Sequence, residues 1–148
     1  MTIQLKSLED SKKALLSLNE KEVLDLKEWS AYHIFVHCSK TIEYSMTGYP
    51  KMKPVIIRGT VGKLAINKFL KQGYMNHNLK ADVPGSPVIN DKGSFHEGRD
   101  ILLQSIEKFM KFEGELKPHL LFGKLDRNIY DMYFAMHIAD HLSELVKK

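Results

Sequence analysis

Histidine is the residue with the most chemistry to offer in this chain. Seven are present: His33, His37, His77, His96, His119, His137 and His141. Two pairs are spaced by four, His33 with His37 and His137 with His141, where random placement gives about 0.3 such pairs. Residues four apart on a helix share a face, with Cβ atoms roughly 6 Å apart, so two imidazoles there can share one metal ion. His137 and His141 from one helix, joined by His37 from another, would fill three positions and leave one open. That is the pattern of a catalytic site rather than of a closed structural one. The bland reading is that these histidines are core residues that hold no ion. For His33 a core role with one ring nitrogen hydrogen-bonded is expected. His96, in the first turn of a helix, and His77, in a loop, are expected in solvent. His119 lies in a tight turn, where a structural hydrogen bond is the simpler role.

Other chemistries find little support. Cys38 follows His37 directly, and consecutive helical residues point about 100° apart, so the two are poorly placed to ligate one ion. A buried, inert thiol is expected. There is no G-x-S-x-G elbow, no phosphate-cradling glycine loop and no dinucleotide fingerprint. Glu9 and Asp10 are paired carboxylates, but they sit at a polar helix start, where they complement the dipole.

The elements that must position the histidines follow from periodicity and turn signals. A lead-in runs from Ser7 to about Leu26, with Ser7–Asp10 and Ser17–Glu20 both spaced as capping boxes. A helical segment from Leu26 to Met46 is apolar around most of its circumference, with Trp29, Tyr32, Phe35, Val36, Ile42 and Tyr44, and should be central. Pro54 can sit in the first turn of the next helix, whose apolar positions are Ile57, Val61, Leu64, Ala65 and Phe69 and which Gly73 closes. Gly59 and Gly62 within it suit a close helix crossing or fraying, each costing about 1 kcal/mol relative to alanine.

Residues 74–93 carry no period and two prolines, a loop length that is often functional. Ser94–Glu97 opens a further helix with Leu102, Ile106, Phe109 and Met110 on its apolar face, stopped by Gly114. Asp126 can cap the last helix, where Tyr130, Tyr133, Phe134, His137, His141 and Leu145 form one stripe that should face the interior. Four main helices plus an N-terminal helical appendage (residues 1–26) make an all-α single domain, closing as a four-helix bundle.

Composition bounds the function classes. The chain has 148 residues, 43% hydrophobic and 27% charged, which suffices for a core without disulfides. Net charge is +4, and the lysines are scattered rather than gathered in a stripe with aromatics, so no nucleic-acid partner is expected. No apolar run approaches the roughly 20 residues of a membrane span. The start, MTIQLKSLEDSKK, lacks the apolar stretch of a signal peptide, and a cytoplasmic protein is expected.

The run from Trp29-Ser30-Ala31-Tyr32-His33 through His37 to Gly48-Tyr49-Pro50 resembles the opening helix of the DinB/YfiT-like superfamily. More narrowly it resembles a branch known as a domain of unknown function (family 1569). Val61-Gly62-Lys63-Leu64-Ala65, Gly73 to Leu79, Val83-Pro84-Gly85-Ser86-Pro87, Pro118 to Leu125 and His137 to Leu142 fit that branch in order and spacing. The resemblance implies an up-down-down-up four-helix bundle whose three-histidine pattern falls on His37, His137 and His141 as ligands of a divalent ion, with zinc, nickel and iron all suitable. It also implies relatives that are metal-dependent thiol transferases using bacillithiol, mycothiol or glutathione.

Two classes of function result. One is a metal-dependent transferase, or a hydrolase using water, with a small-molecule thiol or substrate as partner. Residues 74–93 would then cover the pocket, with Tyr44, Tyr74 or His77 at its rim and Glu43 or Asp140 as a general base. The other is a non-catalytic protein, either a stress-associated binding protein or a structural homodimer.

Overall fold

The computed structural model describes residues 3–24, 29–76 and 81–146. Within them the chain is all-helical, with two isolated β-bridges and no strand. The helices are α1 (Leu8–Ser17), a 3-10 turn (Glu20–Glu22), α2 (Ala31–Thr47), α3 (Val55–Gly59), α4 (Val61–Gln72), α5 (Phe95–Lys111) and α6 (Arg127–Leu145). Among the described residues no helix is long and apolar enough to cross a membrane.

Three of the expected starts are made by side-chain caps that satisfy otherwise unpaired amides of the first turn. Ser7 Oγ accepts from Asp10 N at 3.1 Å, Ser94 Oγ from Glu97 N at 3.1 Å, and Asp126 Oδ1 from Ile129 N at 2.9 Å. The Ser17–Glu20 box does not form. Ser17 Oγ donates back to the Ala14 carbonyl, and Asn19 caps the following 3-10 turn instead. Ser30 caps α2, so that helix begins five residues after Leu26; positions 25–28 lie outside the described residues.

Between Pro54 and Gly73 the single expected helix is two. Thr60 breaks it, with φ −119° and ψ −88°, beside Gly59, a poor helix former. The break ends the register that Ile57 had set. Val61 and Leu64 are 58% and 72% exposed, while Gly62 and Ile66 face inward. A Cβ on Gly62 would lie 1.9 Å from the Leu121 carbonyl oxygen, so this glycine lets the 117–123 turn descend onto α4, a turn rather than a crossing helix. No neighbour approaches Gly59. On α5, Phe95, Gly98, Leu102, Ser105, Ile106 and Phe109 are buried, whereas Met110 is exposed. That helix ends at Lys111 rather than Gly114.

The packing of α2 along α5 is the most extensive in the molecule. It depends on Gly98, where a Cβ would lie 2.9 Å from Tyr32 Cα, and on a Ser39–Ser105 hydroxyl bond of 2.5 Å between the two helices. The α6 helix touches α1, α2 and α4. The N-terminal helix is part of the core rather than an appendage. Leu8 and Leu15 are fully buried, each worth about 1.5–3 kcal/mol, and the Leu8 amide donates to Asp131 on α6 at 2.8 Å. All six positions of the predicted α6 stripe are buried. This places His137 and His141 on the side of α6 that meets α2, the helix carrying His37.

Candidate metal centre

His37, His137 and His141 come together, buried, with one ring nitrogen of each within 4.8 Å of the others. The Nε2 atoms of His37 and His137 are 3.3 Å apart. Two nitrogens about 2.0–2.1 Å from a tetrahedral ion would be separated by about 3.3 Å, so this pair already has the edge length of such a site. Ring centroids lie 4.9 to 5.1 Å apart with interplanar angles of 53° to 87°, so the rings converge rather than stack. Three imidazoles without a carboxylate suit zinc, nickel or iron. The donor set therefore fits a divalent ion.

An aromatic side chain packs over the cluster. Trp29 stacks on His33 at 4.2 Å, lies tilted 5.0 Å from His37, and is near-parallel to His141 at 6.0 Å. One indole thus covers three of the histidines. His33 is buried, with Nε2 3.3 Å from Asp82 of the 74–93 loop, the one-partner core role expected for it. Cys38 is buried, and desolvation pushes its thiol well above the usual range, in keeping with an inert role. His96 is exposed and pairs with Glu20.

Beside the cluster lies a cavity of about 250 Å³, and His37 and His137 form part of its wall. Met75, Ala81, Asp82 and Val83 line it, so described residues of the 74–93 loop form part of its wall. The expected rim residues are different. Tyr44 instead bonds Ser86 at 2.7 Å, Tyr74 is exposed, and neither lines the cavity. His77 lies outside the described residues. The general bases suggested for a hydrolase are also displaced. Glu43 pairs with Lys108 of α5 at 2.9 Å, and neither Glu43 nor Asp140 is among the described lining residues.

The opposite wall is built by the turn before α6. The His119 and Gly123 backbones exchange two hydrogen bonds, with the Lys117 amide anchored to Ser45 and the Leu120 carbonyl accepting from Lys53. His119 Nδ1 accepts from the amides of Leu121 and Phe122, each at 3.1 Å, and Phe122 stacks on its ring at 4.3 Å. This is the structural bond expected of His119. Burial keeps the ring neutral, with its pKa pushed down to about 3. The other ring nitrogen, Nε2, lies 3.2 Å from the Tyr133 hydroxyl.

Tyr49, Tyr133 and His119 thus belong to the site, although Tyr133 registers in sequence only as one apolar position of a stripe. Its place four residues before His137, hence on the same helix face, is the signal that connects it to the cluster.

Compared with curated proteins and with solved structures, the chain has no match. The family model described as "Protein of unknown function (DUF1569)" matches residues 1–148. With its all-helical fold and buried histidine cluster, the chain belongs to the DUF1569 family.

Proposed function

We propose that this protein is a metal-dependent transferase for a small-molecule thiol, built on a single DinB-like up-down-down-up bundle of α2, α4, α5 and α6. His37, His137 and His141 would hold the ion. When bound there, a divalent ion supplies Lewis acidity and favours the ionised form of a thiol or water at its remaining position.

The observation that carries this reading is the cavity against His37 and His137, which leaves room for a ligand on one side of the cluster. A closed structural site has no such space. The chain's own residues supply the rest. Trp29 excludes water from the histidines, and Met75, Val83 and Phe122 give the cavity an apolar wall. Transfer to a thiol is favoured over hydrolysis because neither Glu43 nor Asp140 is among the described lining residues, and Asp82, which is, pairs with His33.

Cobalt(II)-loaded protein titrated with glutathione tests the proposal. A sulfur-to-metal absorption band in the near ultraviolet is expected, and it should be absent from the His137→Ala, His141→Ala variant. Cobalt bound at about one ion per chain with no band for any small thiol would leave a non-catalytic metal-binding protein.

A second reading, a homodimer, has one observation in its favour. Val55, Ile56, Val61 and Leu64 on α3 and α4 are all exposed, and would suit a second copy. Sedimentation of the wild type beside Ile56→Lys, Leu64→Lys decides it: loss of a dimer in the variant supports it, and a wild-type monomer at all concentrations contradicts it.

A further inference from the structure

The wall opposite the histidine cluster assigns its hydrogens without ambiguity. His119 Nδ1 accepts two backbone amides, so it carries no proton. A neutral imidazole then has its one hydrogen on Nε2, and the group 3.2 Å away is Tyr133 Oη. His119 is therefore the donor and Tyr133 the acceptor in this bond. The tyrosine keeps its own hydroxyl hydrogen for another acceptor.

Neighbouring hydroxyls have theirs engaged. Tyr49 donates to the Thr41 carbonyl at 2.9 Å, Thr41 donates to the His37 carbonyl at 3.1 Å, and Tyr130 donates to the Lys117 carbonyl at 2.6 Å. Among the described residues, His119 is the hydrogen-bond partner of Tyr133 Oη, and both residues line the cavity.

We propose that Tyr133, oriented by His119, donates its hydroxyl hydrogen to a ligand in this cavity, and that the ligand is a small neutral carbonyl compound. The class follows from the wall. Among its described residues Asp82 is a carboxylate, which opposes an anionic ligand. Tyr49, Met75, Val83 and Phe122 accept an apolar body. A carbonyl oxygen takes the tyrosine hydrogen without bringing into that wall a donor of its own. The cavity, at about 250 Å³, has room for a molecule of one ring or a short chain. In this role Tyr133 is a specificity and polarising residue, and His119 is the positioning residue behind it. The inference deepens the transferase reading by naming the second ligand of the same site, but the hydrogen bond it invokes does not depend on an ion.

Acetophenone labelled with ¹³C at the carbonyl is the probe, added to full-length protein both as purified and after metal loading. Tyr133→Phe should also bind the probe, and in both preparations the wild-type complex should show a downfield displacement of the carbonyl resonance relative to the complex of that variant. His119→Gln, whose amide can both accept from the backbone and donate to Tyr133, should retain it, and His119→Leu should weaken it.

An unchanged resonance in the wild type at all concentrations, or an equal movement in Tyr133→Phe, overturns the inference. Should Tyr133→Phe fail to fold, the ¹⁵N shifts of the wild-type His119 ring still decide, because a proton found on Nδ1 would contradict the donor assignment. Metal binding without the carbonyl shift would sink this inference alone, and the shift without metal binding would sink only the metal centre.

Discussion

Two walls of one cavity use the same side chain in opposite ways. In the cluster formed by α2 and α6, imidazole nitrogens of His37, His137 and His141 are turned toward one another. In the turn before α6, His119 is equally buried, but one nitrogen holds two backbone amides and the other faces Tyr133. Burial of a histidine therefore does not mark a ligand. What faces its two nitrogens does. Converging lone pairs suit a cation, whereas an amide-locked ring is a structural element that fixes a neighbour's hydrogen.

The comparison can be broken most severely at Gly62. The 117–123 turn rests on it, and a methyl group there meets the Leu121 backbone. Gly62→Ala should cost about 3 kcal/mol, read from urea denaturation, because the obstacle is a main chain held by its own hydrogen bonds. Retention of wild-type stability would mean that the turn is not seated as described.

His119→Ala removes the acceptor of two amides and opens a void. About 2 kcal/mol of stability should be lost while metal content is unchanged, the reverse of what a ligand substitution does. Measuring both quantities on one preparation separates a structural histidine from a ligating one.

The pH dependence sharpens the contrast. The folded-state pKa of His119 lies at about 3, below the ordinary value of 6.5, so the unfolded chain binds the proton first as pH falls. Stability contributed by the neutral ring is complete above about pH 6.5 and declines toward pH 3, by about 1.4 kcal/mol per pH unit at most. Denaturation midpoints of the wild type should fall across that window more steeply than those of His119→Gln. Parallel curves would show that the ring is not held neutral.

The smallest effect is expected at Cys38, beside the cluster in sequence but buried and un-ionised. Cys38→Ala should cost about 1 kcal/mol and leave metal content unchanged, whereas loss of the ion would make the thiol a ligand.

Much of this was legible in the sequence because it is local. The Ser7, Ser94 and Asp126 caps depend on neighbours three residues away, and the α6 stripe on a single helical period. That stripe, with the spacing of His137 and His141, also placed two of the three histidines on one face. The rest depends on contacts distant in sequence, on which periodicity carries no information.

The exposure of Val61 and Leu64 follows from the break at Thr60 and from Leu121 seated on Gly62. The role of Gly98 comes from Tyr32, across the α2–α5 interface. Tyr133 and His119 read as a stripe member and a turn residue until the loop brings Met75, Asp82 and Val83 over them. Chemistry displayed on one helix was readable, and chemistry assembled between a turn and a helix was not.

The most direct test of the metal centre is elemental analysis of protein purified without a histidine tag, alongside His137→Ala, His141→Ala. About one divalent ion per chain in the wild type, lost in a variant that keeps its helical circular dichroism, is the expected result. A wild type that takes up no zinc, nickel or iron after reconstitution would contradict it, and would make His37, His137 and His141 core residues of an ion-free fold.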